Sequence, residues 1–322
     1  MSNAATADTV KSSARGRIAD YAPTYGALAA LVLLVVVNSV FTTNFFDLNN
    51  FRNILLQVAP TVMVAVGMTF VIATGGIDLS VGSLMAIASA VAATQLDHGA
   101  GLAMPLALAV ATLAGAFNGA LISGFQIQPI IVTLALLISG RGVAQVFSSG
   151  NLVPFSNPAF EYLGKGVIAG IPFQVILMAA VVALAVFVMR ATVFGRYVVA
   201  VGGNEAAARL AGVKIHRTKI AVYALSGLLA GLAGLIETAR LGASDAQKVG
   251  LNIELDAIAA TVVGGTPLTG GRATVLGTLV GALIMQVITT AFVMNGISYS
   301  WSLVIKAAII VVAVYIQRPK LA

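Results

Sequence analysis

Gly75-Gly76-Ile77-Asp78-Leu79-Ser80-Val81-Gly82 returns 189 positions later as Gly264-Gly265-Thr266-Pro267-Leu268-Thr269-Gly270-Gly271, and each copy lies between two apolar runs. Hydrocarbon offers no water to unpaired amides, so Gly-rich, helix-breaking backbone at membrane depth persists only where protein buries it or a wet cavity solvates it. Paired interruptions at matching places in two halves of a chain point to a translocation path. Gly75, Gly76, Gly82, Gly264, Gly265, Gly270 and Gly271 thus mark two broken-helix loops, and the rest of the chain is organised around them.

Of the 322 residues 59% are hydrophobic and 9% charged, with a mean hydropathy of +1.00. A soluble domain of this length cannot bury that much apolar surface. The expected fold class is all-α: a polytopic membrane protein of about ten transmembrane helices with an internal repeat. Each helical span needs about 20 apolar residues, and ten segments are candidates: 26–41, 54–73, 82–94, 101–123, 129–147, 167–189, 220–239, 252–265, 273–295 and 302–316. The third and eighth are short and flank the breakers. Six crossings separate the breakers on this count, which gives them one orientation; a re-entrant short segment would invert the relation.

Net charge is +7, and its distribution reports topology rather than a nucleic-acid partner. Segments 1–25, 190–219, the Arg272 turn and 317–322 hold 12 of the 18 Lys and Arg. Positive residues favour the cytoplasmic side, so both termini are expected inside. The polar leader 1–25 precedes an apolar run with no evident small-residue cleavage site, which reads as an uncleaved anchor. The remainder, 26–322, reads as one transmembrane domain whose halves, about 26–189 and 220–322, are joined by the loop 190–219.

No cysteine is present, and His98 and His216 fall in loops. No His/Asp/Glu cluster has metal-ligand spacing and no Ser/His/Asp set can be assembled, so neither a metal site, a cofactor nor a catalytic residue is expected.

The small-residue faces Gly227/Gly231/Gly234 and Gly277/Gly281 suit close helix packing. The segment from Arg190 to Lys219 holds six basic residues against one acid, Glu205. Within it Asn204 is a good N-cap, Glu205 suits the positive first turn, Ala206 and Ala207 open a run of helix formers, and Gly212 is a natural stop. A nearly bare alanine helix in a basic loop can dock into a groove on another protein.

A carboxylate at membrane depth is expensive and faces a wet or paired environment. Asp78 therefore either lines a substrate path or pins its breaker by accepting backbone hydrogen bonds. Ser80, Asn118, Gln126, Gln128 and Thr269 complete the candidate polar path, with amides suited to hydroxyl-rich cargo. Glu237 and Arg240 share a helix face and are expected to form an ion pair. Arg141 and Lys306 lie within spans and are expected to snorkel or pair.

Gly75 to Ser83, the loop Gly202-Gly203-Asn204-Glu205-Ala206-Ala207-Ala208-Arg209-Leu210-Ala211-Gly212-Val213, and Glu254 to Ala260 followed by Gly264-Gly265 together resemble the permease subunits of bacterial ABC importers for ribose, xylose, galactosides and related monosaccharides. Gly115-Ala116-Phe117-Asn118-Gly119, Ile127 to Leu134 and Arg141-Gly142 extend the resemblance over most of the chain, with similarity to the ribose branch and to galactofuranose permeases. It implies a multi-pass protein of the inner membrane, paired with a second copy or a sister permease. It further implies sugar delivery by a periplasmic binding protein and drive by an ATPase with two nucleotide-binding domains. The chain itself has no G-x-x-x-x-G-K-[ST] phosphate loop, so it is expected to be a transport subunit and not an enzyme. The resemblance places a coupling helix at 204–212, although four residues, not the three of the general importer pattern, separate Ala207 from Gly212. The competing expectation is a self-sufficient secondary transporter with Asp78, Glu237 and Lys306 as an ion relay.

Overall fold

A computed structural model describes residues 24–317. The leader up to residue 23 and the basic residues Arg318 and Lys320 lie outside the described residues. The described chain is almost entirely helical: α1 Thr24–Phe41, α2 Leu48–Ala73, α3 Val81–Gln95, α4 Ala100–Gly124, α5 Pro129–Phe147, α6 Pro158–Lys165, α7 Phe173–Ala191, α8 Val193–Gly203, α9 Glu205–Leu210, α10 Ile215–Leu241, α11 Ile253–Val263, α12 Val275–Met294 and α13 Tyr299–Gln317. Two short antiparallel strand pairs, Val153–Pro154 with Ala243–Ser244 and Val167–Ile168 with Ile171–Pro172, complete it.

Seven of these helices are long and apolar enough to cross a membrane: α1, α2, α4, α5, α7, α10 and α12. Every one of the ten expected segments contains a helix, but α3 has 15 residues and α11 only 11. At 1.5 Å per residue α11 covers about 16 Å, roughly half of a hydrocarbon core. The expected span 167–189 begins late. Ala169 and Gly170 take left-handed φ of 49° and 83°, folding 167–172 into a hairpin before α7 starts.

The core is built on α2, α3 and α10. Every residue of α3 from Val81 to Ala93 is buried, as expected for a helix without a polar face. Close approach depends on glycine. A Cβ at Gly115 or Gly227 would collide with the facing backbone, Tyr223 O and Ala111 O respectively, so α4 and α10 touch backbone to backbone. Gly281 meets Ala260 O in the same way, which joins α11 to α12. Both small-residue faces expected from sequence are thus helix-packing faces. Buried hydroxyls cross-link the same helices: Thr69 with Thr278 at 2.7 Å between α2 and α12, and Thr238 Oγ1 donating to Ser89 Oγ at 2.6 Å between α10 and α3. Such interhelical bonds contribute about 0.6 kcal/mol each on average.

Candidate functional site: two breaker loops and a basic connecting helix

The first breaker, 74–80, links α2 to α3. Gly75 ends α2 with φ of 81°, and the chain then turns around Asp78, whose side chain is 0% exposed. Asp78 Oδ1 accepts from the Ser80 amide at 3.0 Å and from Ser80 Oγ at 2.6 Å, while Oδ2 accepts from Ser226 Oγ of α10 at 2.8 Å. Asn118 Nδ2 of α4 donates to Ser80 Oγ at 3.0 Å, and Ser83 Oγ lies within hydrogen-bonding reach of the carbonyls of Ser80 and Leu136. Three helices therefore converge on one carboxylate that is sealed from solvent.

The second breaker, 264–274, carries no carboxylate. Thr266 and Thr274 hold it: their hydroxyls are 2.9 Å apart, the Thr274 amide donates to Thr266 Oγ1 at 3.0 Å, and Thr274 Oγ1 donates to Gly264 O at 2.9 Å. Thr269 is exposed at its tip.

The two breakers meet. The Gly271 amide donates to Ala73 O, the end of α2, at 3.0 Å. Gly202, at the end of α8, fills the remaining space, because a Cβ there would collide with Ala73 O and lie 2.6 Å from Gly271 N. Gly270 is 3.1 Å from Gly202 O by the same measure. Three glycine segments, distant in sequence, thus share one backbone junction, and Asn204 follows Gly202 by two residues.

Asn204 caps α9 by accepting from the Ala207 amide at 2.9 Å, and Gly212, at φ 82°, ends the turn. Glu205 bonds Lys219 Nζ at 2.7 Å, which ties α9 to the start of α10. Ala206, Ala207, Arg209 and Gly212 are exposed, and Leu210 is 91% exposed. Beside α9 a cavity of about 870 Å³ is lined by Gln126, Gln128, Glu205, Arg209 and Lys219 among others. The six expected path residues therefore separate: Asp78, Ser80 and Asn118 form one buried network, Gln126 and Gln128 lie at this basic end, and Thr269 stands on the second breaker.

The remaining ionisable groups pair differently from expectation in one case. Glu237 and Arg240 make no ion pair within 4 Å; Arg240 Nη1 instead donates to Leu56 O at 3.3 Å. The α10 helix continues to Leu241, and Arg240 turns toward the N-terminal part of α2, where it reaches the Leu56 carbonyl. Lys306 finds Asp256 at 3.0 Å, and Arg141 bonds the carbonyls of Ala246 at 3.0 Å and Val249 at 2.6 Å, pinning the loop 242–252. On α6, a hydrogen bond from Lys165 at 2.7 Å holds the Glu161 carboxyl below its ordinary range. Among the described residues no group of three His, Cys, Asp or Glu could hold a metal.

Sequence reasoning overlooked Gln57 and Gln286. Gln286 Nε2 donates to Gln57 Oε1 at 2.8 Å across α2 and α12. The available signal was an amide in the interior of each of two apolar spans.

A family model described as "Branched-chain amino acid transport system / permease component" matches residues 50–314. The chain belongs to this permease family. The permease is 42% identical over 300 residues to the ribose import permease protein RbsC of Escherichia coli (strain K12), covering 91% of this chain and 93% of that protein. It is 40% identical over 299 residues to RbsC of Bacillus subtilis (strain 168), covering 92% of each. It is also 40% identical over 303 residues to the galactofuranose transporter permease protein YtfT of E. coli (strain K12), covering 91% and 89%. No solved structure matches. The permease is a transport subunit of the membrane, and these full-length relatives favour the importer over the self-sufficient transporter.

Proposed function

We propose that the permease is the membrane-spanning subunit of an ATP-driven importer for a monosaccharide. Identity of about 40% along nine tenths of the chain to import permeases for ribose and galactofuranose carries this reading. The sugar arrives from a periplasmic binding protein, and the drive comes from a separate ATPase with two nucleotide-binding domains. A second copy or a sister permease completes the pore in the bacterial cytoplasmic membrane. Both termini and the loop 190–219 face the cytoplasm, which the concentration of basic residues supports.

The helix α9 is the coupling element of the permease domain 26–322, joining its halves 26–189 and 220–322. Its exposed face, Ala206, Ala207 and Gly212 with Asn204 and Glu205 fixing the cap, is small enough to enter a groove on the ATPase. Asp78, Ser80 and Asn118 pin the first breaker, whereas Gln126 and Gln128 offer amides to the sugar at the inner exit, and Thr269 does so from the second breaker.

Co-purification from mild detergent tests the proposal. Wild type should retain the ATPase, and a variant carrying Ala206→Arg and Ala207→Arg should lose it while eluting as a folded protein. Ion-gradient-driven sugar uptake by the permease alone in liposomes, with no ATPase retained, would establish the relay transporter instead.

A further inference from the structure

At the end of the bundle opposite α9 a cavity of about 520 Å³ is walled by Asn53 and Gln57 of α2, Asp256 of α11, Gln286 and Thr289 of α12 and Lys306 of α13. Small-molecule sites run from about 300 to 1,000 Å³. Gln57 lies nine residues into α2 and Gln286 eight residues from the end of α12. Gln57 falls three residues into the apolar segment 54–73 and Gln286 inside 273–295, so both amides stand within spans rather than in the loops that join them. Gln57 is nevertheless exposed, and Asn53 has no side-chain hydrogen bond among the described residues. Amides within spans require water or a polar ligand, since lipid satisfies neither donor nor acceptor.

Most of the wall is polar and uncharged. Asp256 and Lys306 cancel in their 3.0 Å ion pair, while Arg240, which donates to the Leu56 carbonyl, leaves one positive charge in the lining. What remains free is the second half of each amide in the Gln57–Gln286 pair, the Asn53 amide and the acceptor side of Thr289, whose hydroxyl donates to Met285 O. Paired amide donors and acceptors match vicinal hydroxyl groups. Tyr299 at the mouth adds an aromatic face.

We propose that this cavity, and not the Asp78 network, is where the permease takes the sugar from outside, with Gln57 and Gln286 as the ligand-contacting residues and the Asp256–Lys306 pair holding its wall. The proposal rests on the importer reading above and names the site that serves it. No charged intermediate or bond change is involved; the sugar exchanges hydration for the amides and passes inward.

The chain contains no cysteine, so a single introduced thiol reports one position. The complete complex, with its ATPase and binding protein, is reconstituted in proteoliposomes and assayed with radiolabelled D-ribose, D-galactose and D-fructose. Gln57→Cys and Gln286→Cys should react with a charged, membrane-impermeant thiol reagent added outside at least about tenfold faster than Leu184→Cys, an exposed position in the interior of α7. The modification should abolish uptake while the ATPase stays bound. Independently, the Gln57→Ala, Gln286→Ala double variant should import about tenfold more slowly, the cost of two hydrogen bonds to a ligand, while the ATPase still co-purifies with it. Wild type that imports none of these sugars with ATP overturns the importer reading and the site with it. Wild type that imports while both thiols are inert, or are modified without loss of uptake, overturns the site alone.

Discussion

The two breaker loops carry nearly the same glycine spacing, yet they are held by different physics. The first is fastened by side chains: Asp78 collects Ser80 and Ser226, and Asn118 extends the network to α4. The second is fastened by two threonines and by its own backbone, with Gly271 bonded to the end of α2. Pro267, which has no amide proton, stands where the first loop has Asp78. A side-chain anchor fixes one loop in the core, while a backbone contact lets the other loop meet both the first breaker and the segment leading to α9. Gly202, just before the α9 cap, lies against both the end of α2 and Gly271 of the second breaker.

The largest effect should come from the shared junction. Gly202→Val places a branched side chain where Ala73 O and Gly271 N already sit, and overpacking of that kind costs about 3 kcal/mol or more where backbone cannot yield. Size-exclusion of the detergent-solubilised variant should show loss of the folded peak; a fully folded and active Gly202→Val would end the idea that three segments are locked there. Next is Asp78→Ala, which strands two hydroxyls and one amide and should cost about 2–3 kcal/mol in thermal stability.

Asp78→Asn sharpens the comparison between anchoring and charge. An amide oxygen still accepts from Ser80 and its nitrogen can donate to Ser226, so destabilisation should stay below about 1 kcal/mol with transport preserved; abolished uptake in a stable Asp78→Asn would make the charge itself the working part. Thr266→Val removes one hydroxyl from the second loop and should cost about 1 kcal/mol. A loss as large as that of Asp78→Ala would erase the distinction between the loops. Gly75→Ala should match Thr266→Val in size, because the nearest atom, Thr269 O, is 3.8 Å from the added carbon and only the left-handed φ of 81° is penalised, at about 1 kcal/mol. Melting curves of the solubilised variants rank the four substitutions at Asp78, Thr266 and Gly75.

Much of this architecture was written in local composition. Apolar runs located ten of the helices, because hydrocarbon rejects unpaired backbone, whereas α6 and α8 fell in segments read as connections; the α9 cap was readable from Asn204 and Gly212, because capping is a matter of neighbouring residues. The boundaries that failed were those where a short apolar stretch had two outcomes: Val167, Ile168 and Ile171 are as compatible with a hairpin as with a helix start. Glu237 and Arg240 were paired by helical spacing alone, although a carbonyl from α2 reaches the guanidinium more easily.

The candidate site was less legible. Sequence reasoning named Asp78 as costly and passed over Gln57 and Gln286, and nothing local says which of the three is sealed and which faces a cavity. Asp256 and Lys306 are 50 positions apart, and their pairing depends on α11 being too short to cross and on α13 lying against it.

The sequence by itself determined a membrane-embedded, cysteine-free helical chain with two breakers and a basic, helix-capped connection, since these follow from the solvation of backbone and charge, residue by residue. Only the tertiary structure decided that Ala73, Gly202 and Gly271 meet, that Asp78 is buried among hydroxyls and that the glutamines of α2 and α12 face one cavity. Those outcomes depend on how closely glycine lets helices approach, and that distance is a property of pairs of helices packed in three dimensions.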